Sequence, residues 1–69
     1  MMVEIFVNGE RKLIDSGIDI GQALLAWGYD TAHKIAVAVN GEFVPRSLYG
    51  QRVLIADDRV DVVSPISGG

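Results

Sequence analysis

Two Asn-Gly pairs limit the folds that this chain of 69 residues can adopt. Asn8-Gly9 follows a short run of alternating apolar residues, and Asn40-Gly41 follows another. Asparagine and glycine both tolerate a positive φ, which the two central residues of a type I′ turn require. The sequence therefore predicts two tight turns, each joining a strand to the strand that returns beside it.

The first turn is predicted to form a β-hairpin at the start of the chain. Residues 3–7 alternate with the period of two that indicates a half-buried strand. Residues 11–15 then resume an extended pattern. In this second strand Leu13 lies on one face, and Lys12 and Ile14 lie on the other. We assign Leu13 to the core.

One amphipathic helix is predicted after this hairpin. Asp19 is a favourable N-cap residue, and Gly28 is suited to a left-handed C-cap. Between them, apolar residues recur at the spacing i, i+3, i+4 and i+7, which places them on one helical face: Ile20, Ala23, Leu24 and Trp27. We expect this face to pack on a sheet.

Three further strands are predicted to complete a mixed sheet. Residues 35–39 alternate bulky side chains with alanines, and residues 42–44 form a short return strand that ends before Pro45. A single helical turn over residues 47–50 and a turn at Asp57-Asp58 precede the last strand, Arg59 to Ser64. The expected core comprises the inward-facing apolar residues: Val3, Ile5, Val7, Leu13, Ile20, Leu24, Trp27, Val37, Val39, Val60 and Val62.

These elements predict a single α+β domain over residues 1–69, with one main helix on one face of the sheet. We expect the two chain ends to lie on neighbouring central strands.

Composition excludes several classes of function. The chain has no cysteine, which rules out disulfides, thiolate metal sites and cysteine nucleophiles. Its formal net charge of −3 argues against nucleic acid as a main partner. The single histidine, His33, has no second histidine with which to share a metal, and the sequence predicts neither catalytic residues nor a metal site. With no signal peptide or membrane-spanning run, we expect a cytoplasmic protein with no membrane partner.

The final six residues are predicted to leave the last strand as a narrow arm, here called the tail: Ser64, Pro65, Ile66, Ser67, Gly68 and Gly69. Glycine has no Cβ, and a proline favours an extended conformation in the residue before it. Six extended residues span roughly 20 Å, at about 3.3–3.6 Å each. Such an arm is long enough to carry Gly69 into a partner's active site. A frayed terminus is the alternative.

Several segments of the chain together resemble one family. They are Ala36–Gly41, Val44-Pro45-Arg46 and Gly68-Gly69, and with the strand at Val3–Asn8 the match spans essentially the whole chain. The chain resembles the ubiquitin-like β-grasp proteins and, more narrowly, the sulfur carriers of thiamine (thiazole) biosynthesis, the ThiS family. This resemblance implies a β-grasp fold with a protruding C-terminal Gly-Gly tail.

Two positions depart from that family's pattern. Tyr49 stands where the family often has tryptophan, and Asp57-Asp58 stands where it usually has Gly-Asp. Because aspartate tolerates left-handed backbone geometry better than most residues, we expect the fold to accommodate the second change.

Other functions remain open on the residues alone. Residues 64–67 before the Gly-Gly end are also similar to the tail of the small subunit of molybdopterin synthase. A sulfur carrier for molybdopterin synthesis or tRNA thiolation is therefore one alternative. A ubiquitin-like modifier, joined to lysines through Gly69, is another, and a structural subunit with no chemistry is a third.

The resemblance implies that the chain is not an enzyme but a carrier, a co-substrate of partner enzymes, whose reacting residue is Gly69. An E1-like adenylyltransferase would use ATP and magnesium to adenylate the Gly69 carboxylate, with neither bound stably by the chain. A persulfide derived from a cysteine desulfurase would convert the adenylate into a thiocarboxylate. Thiazole synthase would then accept the sulfur.

Further residues are expected to contact these partners. The tail from Ser64 to Gly68 would thread into the partner's active site. Phe6, on the opposite face of its strand from Ile5 and Val7, is a candidate for a partner-facing apolar patch. Arg46 is a candidate to hold the base of the tail or a partner carboxylate.

Overall fold

A computed structural model describes residues 1–29 and 35–63 of the chain. The described residues form a five-stranded mixed sheet with one α-helix packed on one face, as predicted. The elements in chain order are β1 (Met2–Val7), β2 (Glu10–Asp15), α1 (Ile20–Ala26), β3 (Ala36–Val39), β4 (Glu42–Val44), a 3₁₀ turn (Arg46–Leu48) and β5 (Arg59–Val63).

The sheet has the strand order β2-β1-β5-β3-β4. Strands β1 and β5 are parallel, and the other neighbouring pairs are antiparallel. The first and last strands are therefore neighbours at the centre of the sheet, as the sequence predicts. Within the described residues, no helix is long and apolar enough to cross a membrane.

Both Asn-Gly pairs form the predicted tight turns. Asn8 and Gly9 have φ values of 50° and 83°, and Asn40 and Gly41 have values of 54° and 84°. Positive φ at both central residues is the geometry of a type I′ turn, whose twist matches that of the strands it joins. Each turn links an antiparallel pair, β1 with β2 and β3 with β4.

The assignment of Leu13 to the core is wrong. The two-residue turn places Val3 opposite Ile14 and Glu4 opposite Leu13. Because residues directly opposite each other share a face of the sheet, Ile14 joins Val3 on the side of the helix. Ile14 is accordingly 5% exposed, and Leu13 is 65% exposed. A shift of one residue exchanges the two faces of a strand, and the turn length fixes which face is buried.

The helix begins and ends as predicted. The Asp19 carboxylate accepts a hydrogen bond from the backbone N–H of Gln22 at 2.8 Å, and the Gln22 side chain accepts one from the N–H of Asp19 at 3.1 Å. This reciprocal capping box satisfies two N–H groups that have no partner inside the helix. Gly28, with a φ of 88°, follows the last turn.

Most of the predicted core is buried. Eight of its residues are less than 9% exposed, and Val3 and Trp27 are half-buried and packed against them: Ile5, Val7, Ile20, Leu24, Val37, Val39, Val60 and Val62. The structure adds residues that the predicted list omitted: Ile14, Ala23, Val44, Tyr49 and Leu54. Leu54 is held beside the helix start by a hydrogen bond from its N–H to the carbonyl of Ile18.

Candidate functional site

Strand β5 lies at the centre of the sheet and leads to the predicted tail. It pairs with β1 on one side, where Val60 stands opposite Val7, and with β3 on the other, where Val63 stands opposite Ala36. The side chains of Val60 and Val62 are buried. The strand that precedes the tail is therefore fixed by two neighbours and by the core.

The predicted tail residues lie outside the described residues: Ser64, Pro65, Ile66, Ser67, Gly68 and Gly69. His33 lies outside them as well. The structure describes the candidate site as far as Val63, and the roles assigned to the tail stay predictions.

A buried carboxylate holds the beginning of β5. Asp58 is 3% exposed, and its Oδ1 accepts a hydrogen bond from Nδ2 of Asn40 at 3.0 Å. Its Oδ2 accepts a hydrogen bond from the N–H of Ile55 at 2.9 Å and lies 3.4 Å from Nη1 of Arg52. A buried charge is tolerated when it is paired and hydrogen-bonded in this way. Asp58 thus has a structural role at the entry to β5.

The preceding residue makes the turn that the sequence predicts. Asp57 has a φ of 69°, and its N–H donates a hydrogen bond to the carbonyl of Glu4 at 2.8 Å. The left-handed geometry is tolerated by aspartate at this position, where the resembled family usually has glycine. Within residues 1–29 and 35–63, no three metal-ligating side chains lie together in a way that could hold a metal ion.

Phe6 lies on the face of the sheet away from α1, here called the open face. The guanidinium carbon of Arg59 lies 5.8 Å from the centroid of its ring, within the range of a cation–π interaction. A cavity of about 330 Å³ adjoins the pair, with Gly9 and Asp61 also in its lining. Phe6 is half-buried and Arg59 lies over its ring, so Arg59 covers part of the surface that we predicted to face a partner.

Arg46 is exposed at the start of the 3₁₀ turn that follows β4. Strand β4 is separated from β1, the strand of Phe6, by β3 and β5. Three strand spacings place β1 and β4 about 14 Å apart. The structure therefore does not bring Arg46 and Phe6 together. Burial raises the pKa of the nearby Tyr49 above its ordinary value, and the positive charge of Arg46 partly opposes this shift.

A second apolar area on the open face was not predicted as a site. Phe43 on β4 is 68% exposed, and Val63 on β5 is 61% exposed. The two small residues Ala36 and Ala38 of β3 lie between their strands, opposite Val63 and Phe43 respectively. We call these four residues the tail-side patch. The alternation of alanines with valines in β3 was the available signal, because alanine on an outward face leaves room for an approaching surface.

Comparisons with known proteins agree on one family. The model of the ThiS family matches residues 3–69 of this chain. Proteins named thiazole synthase from Magnetococcus marinus and Paramagnetospirillum magneticum are 36% and 31% identical to it over 67 residues. The match covers 97% of this chain and 20% of each relative, so the chain spans about a fifth of the length of these curated relatives.

A solved structure shares the fold. It is the thiamine biosynthesis protein (ThiS) from Geobacter metallireducens, which superposes with a TM-score of 0.81 at 23% sequence identity. The similarity covers 97% of this chain and 100% of that chain. Because the family model matches nearly the whole chain and the β-grasp fold is the same, the chain belongs to the ThiS family.

Proposed function

We propose that this chain is a sulfur carrier for the thiazole ring of thiamine, and that Gly69 carries the sulfur. The observation that carries this proposal is the extent of the family match, which runs through residue 69 and so includes Gly68-Gly69. The position of β5 supports it, because a central strand provides a rigid base for the segment that reacts.

Thiazole synthase is the acceptor that we propose for the sulfur. The two curated relatives bear that name and contain a region similar to this chain. A thiazole synthase that contains a region similar to this chain supports the proposal that the carrier and the synthase work together. We infer that this chain presents its Gly69 thiocarboxylate to an enzyme of the same type.

The proposed chemistry activates a carboxylate that is otherwise a poor electrophile. A carboxylate oxygen of Gly69 attacks the α-phosphate of ATP on an E1-like adenylyltransferase, and pyrophosphate leaves. A persulfide sulfur then attacks the carbonyl carbon, AMP leaves, and reduction of the resulting acyl disulfide by a thiol gives the thiocarboxylate. The ATP and magnesium belong to the partner, and the persulfide derives from a cysteine desulfurase.

The chain's own residues supply position and fit. Gly68 and Gly69 keep the reacting end narrow, and Ile66 would contribute about 1.5–3 kcal/mol if it were fully buried in a partner's groove. The tail-side patch includes Val63, the residue before the tail, and we propose it as a docking surface for the activating enzyme. Phe6 and Arg46 are further contacts in this proposal.

Intact mass spectrometry tests the function. The protein is incubated with ATP, magnesium, an adenylyltransferase, a cysteine desulfurase and cysteine, and then with thiazole synthase and its substrates. We expect a mass gain equal to one exchange of oxygen for sulfur, followed by its loss as thiazole forms. An unchanged mass would contradict the carrier function. A mass gain with transfer only to molybdopterin synthase or a tRNA-thiolating enzyme would assign the carrier to another pathway.

A further inference from the structure

Both Asn-Gly turns hold β5 through an asparagine side chain. The N–H of Asn8 donates to the carbonyl of Val60 at 2.8 Å, and its side-chain oxygen accepts from the N–H of Val62 at 2.8 Å. The N–H of Asn40 donates to the carbonyl of Arg59 at 2.8 Å, and its side-chain oxygen accepts from the N–H of the same residue at 2.9 Å. The two turns therefore hydrogen-bond to the central strand from opposite sides, Asn8 from the side of β1 and Asn40 from the side of β3.

The contact of Asn8 acts at the end of β5 from which the tail leaves. Strand β1 ends at Val7, and the left-handed φ of 50° at Asn8 turns the chain toward β2. The side-chain carbonyl of Asn8 continues the parallel ladder by one hydrogen bond beyond the end of β1, at a part-buried position. Without it, the N–H of Val62 would lose its partner, and a buried donor without a partner is costly.

The contact of Asn40 acts at the opposite end. It holds Arg59, the first residue of β5, and its Nδ2 also donates to the buried carboxylate of Asp58. The two asparagines occupy the same position in the same kind of turn, and they differ in which end of β5 they hold. This makes each a matched control for the other.

We propose that Asn8 is a positioning residue whose side-chain oxygen fixes the Val62 amide on the β1 side, while β3 pairs with Val62 and Val63 on the other side, so that the end of β5 is held from both sides when the tail enters a partner. This inference rests on the proposed function of Gly69. Without the Asn8 contact the last residues of β5 would be held by β3 alone, and the freedom that they gained would have to be lost again each time the tail was engaged. The entropy of one backbone residue corresponds to about a 5- to 30-fold change in rate.

Three variants separate this role from simple stability. Asn8→Gly keeps a residue suited to positive φ and removes the side-chain oxygen. Asn8→Asp keeps both an acceptor oxygen and tolerance of the left-handed region. Asn40→Gly makes the same deletion at the other turn, where it also removes a partner of Asp58.

Two measurements are made on the full chain. Amide hydrogen exchange at Val62, taken relative to Val37, reports the contact with no partner present. Steady-state kinetics of thiocarboxylate formation report kcat and KM for the carrier. For Asn8→Gly we expect relative exchange at Val62 to rise about tenfold and kcat to fall about 5- to 30-fold, with KM within about twofold because the open face is unchanged. Asn8→Asp should restore both values to within about twofold of the unaltered protein.

Asn40→Gly should lower overall stability more than Asn8→Gly and leave kcat within about twofold. An equal loss of kcat in the two glycine variants, or no recovery in Asn8→Asp, would overturn the positioning role. In the unaltered protein the Val62 amide must itself be protected, so fast exchange there would overturn it even if a variant failed to fold. An unaltered protein that never gains sulfur contradicts the proposed function. If the unaltered protein gains sulfur and the Asn8→Gly variant has the same kcat, only the role of Asn8 is contradicted.

Discussion

The two ends of β5 are built differently. At its entry, the buried Asp58 carboxylate gathers Asn40, Ile55 and Arg52 around one charge. At its exit, Val62 and Val63 pair with β3 on one side, and on the other side one side-chain hydrogen bond from Asn8 extends the pairing beyond the end of β1. Loss of the entry network would leave several polar groups without partners, whereas the exit depends on strand pairing and on one side-chain hydrogen bond, beside the exposed Val63. We infer that the entry serves stability and that the exit serves transfer.

Removal of the Asp58 carboxylate gives the largest expected loss of stability. Asp58→Ala leaves the N–H of Ile55 and the amide of Asn40 without their acceptor and Arg52 without its partner. We expect the free energy of unfolding to fall by about 2–6 kcal/mol, because each of the two donors left without an acceptor costs about 1–3 kcal/mol, while the partly exposed Arg52 can be solvated. Denaturant titration measures this change.

The exposed Asp61 on the same strand provides the control, and Asp61→Ala should change stability by less than about 0.5 kcal/mol. A similar small loss for Asp58→Ala would remove the difference between the two ends of β5. Sulfur transfer by the folded fraction of Asp58→Ala should stay near that of the unaltered protein.

Adjacent positions in β2 test the register of the hairpin that carries Asn8. We expect Ile14→Ala to cost about 2–5 kcal/mol, because it deletes buried methyl groups from the core. Leu13→Ala should cost less than about 0.5 kcal/mol, since Leu13 faces solvent on the open face. Denaturant titration of both variants checks the pair, and equal losses would mean that the hairpin has another register.

The smallest expected effect is a change with pH at Tyr49. Burial raises the pKa of its phenol, so the folded state keeps the proton after the unfolded state has lost it. This contribution to stability is present below the ordinary tyrosine pKa of about 10 and is lost as the pH rises above it. We expect Tyr49→Phe to lose less stability than the unaltered protein between pH 9 and pH 11. Parallel denaturant titrations across that range measure the difference, and identical slopes would contradict it.

Local signals in the sequence were sufficient for much of the fold. Both Asn-Gly turns and the Asp19 cap follow from residues at most three positions apart, and the helical face follows from a fixed period. The assignment of Leu13 failed because its strand carries apolar residues on both faces. The number of residues in the Asn8-Gly9 turn, read together with the pattern of β1, would have selected Ile14.

The parts that were missed depend on contacts distant in sequence. Tyr49 and Leu54 lie in segments without a strand or helix period, so nothing local marks them as buried. Asp58 is buried because of Asn40, 18 positions away, and Asn8 reaches Val62 across 54 positions. The family was identified from short segments spread over the chain. The roles of the tail, Phe6 and Arg46 stay predictions.

The central claim is that sulfur resides on Gly69, and its most direct test is intact mass after activation of three chains. They are the unaltered protein, a variant that lacks Gly69, and a variant with one residue added after it. We expect the unaltered protein alone to gain the mass of one oxygen-to-sulfur exchange, while all three unfold at nearly the same temperature. If the shortened or extended chain gained sulfur at the rate of the unaltered protein, Gly69 would not be the carrier residue and the account would be wrong.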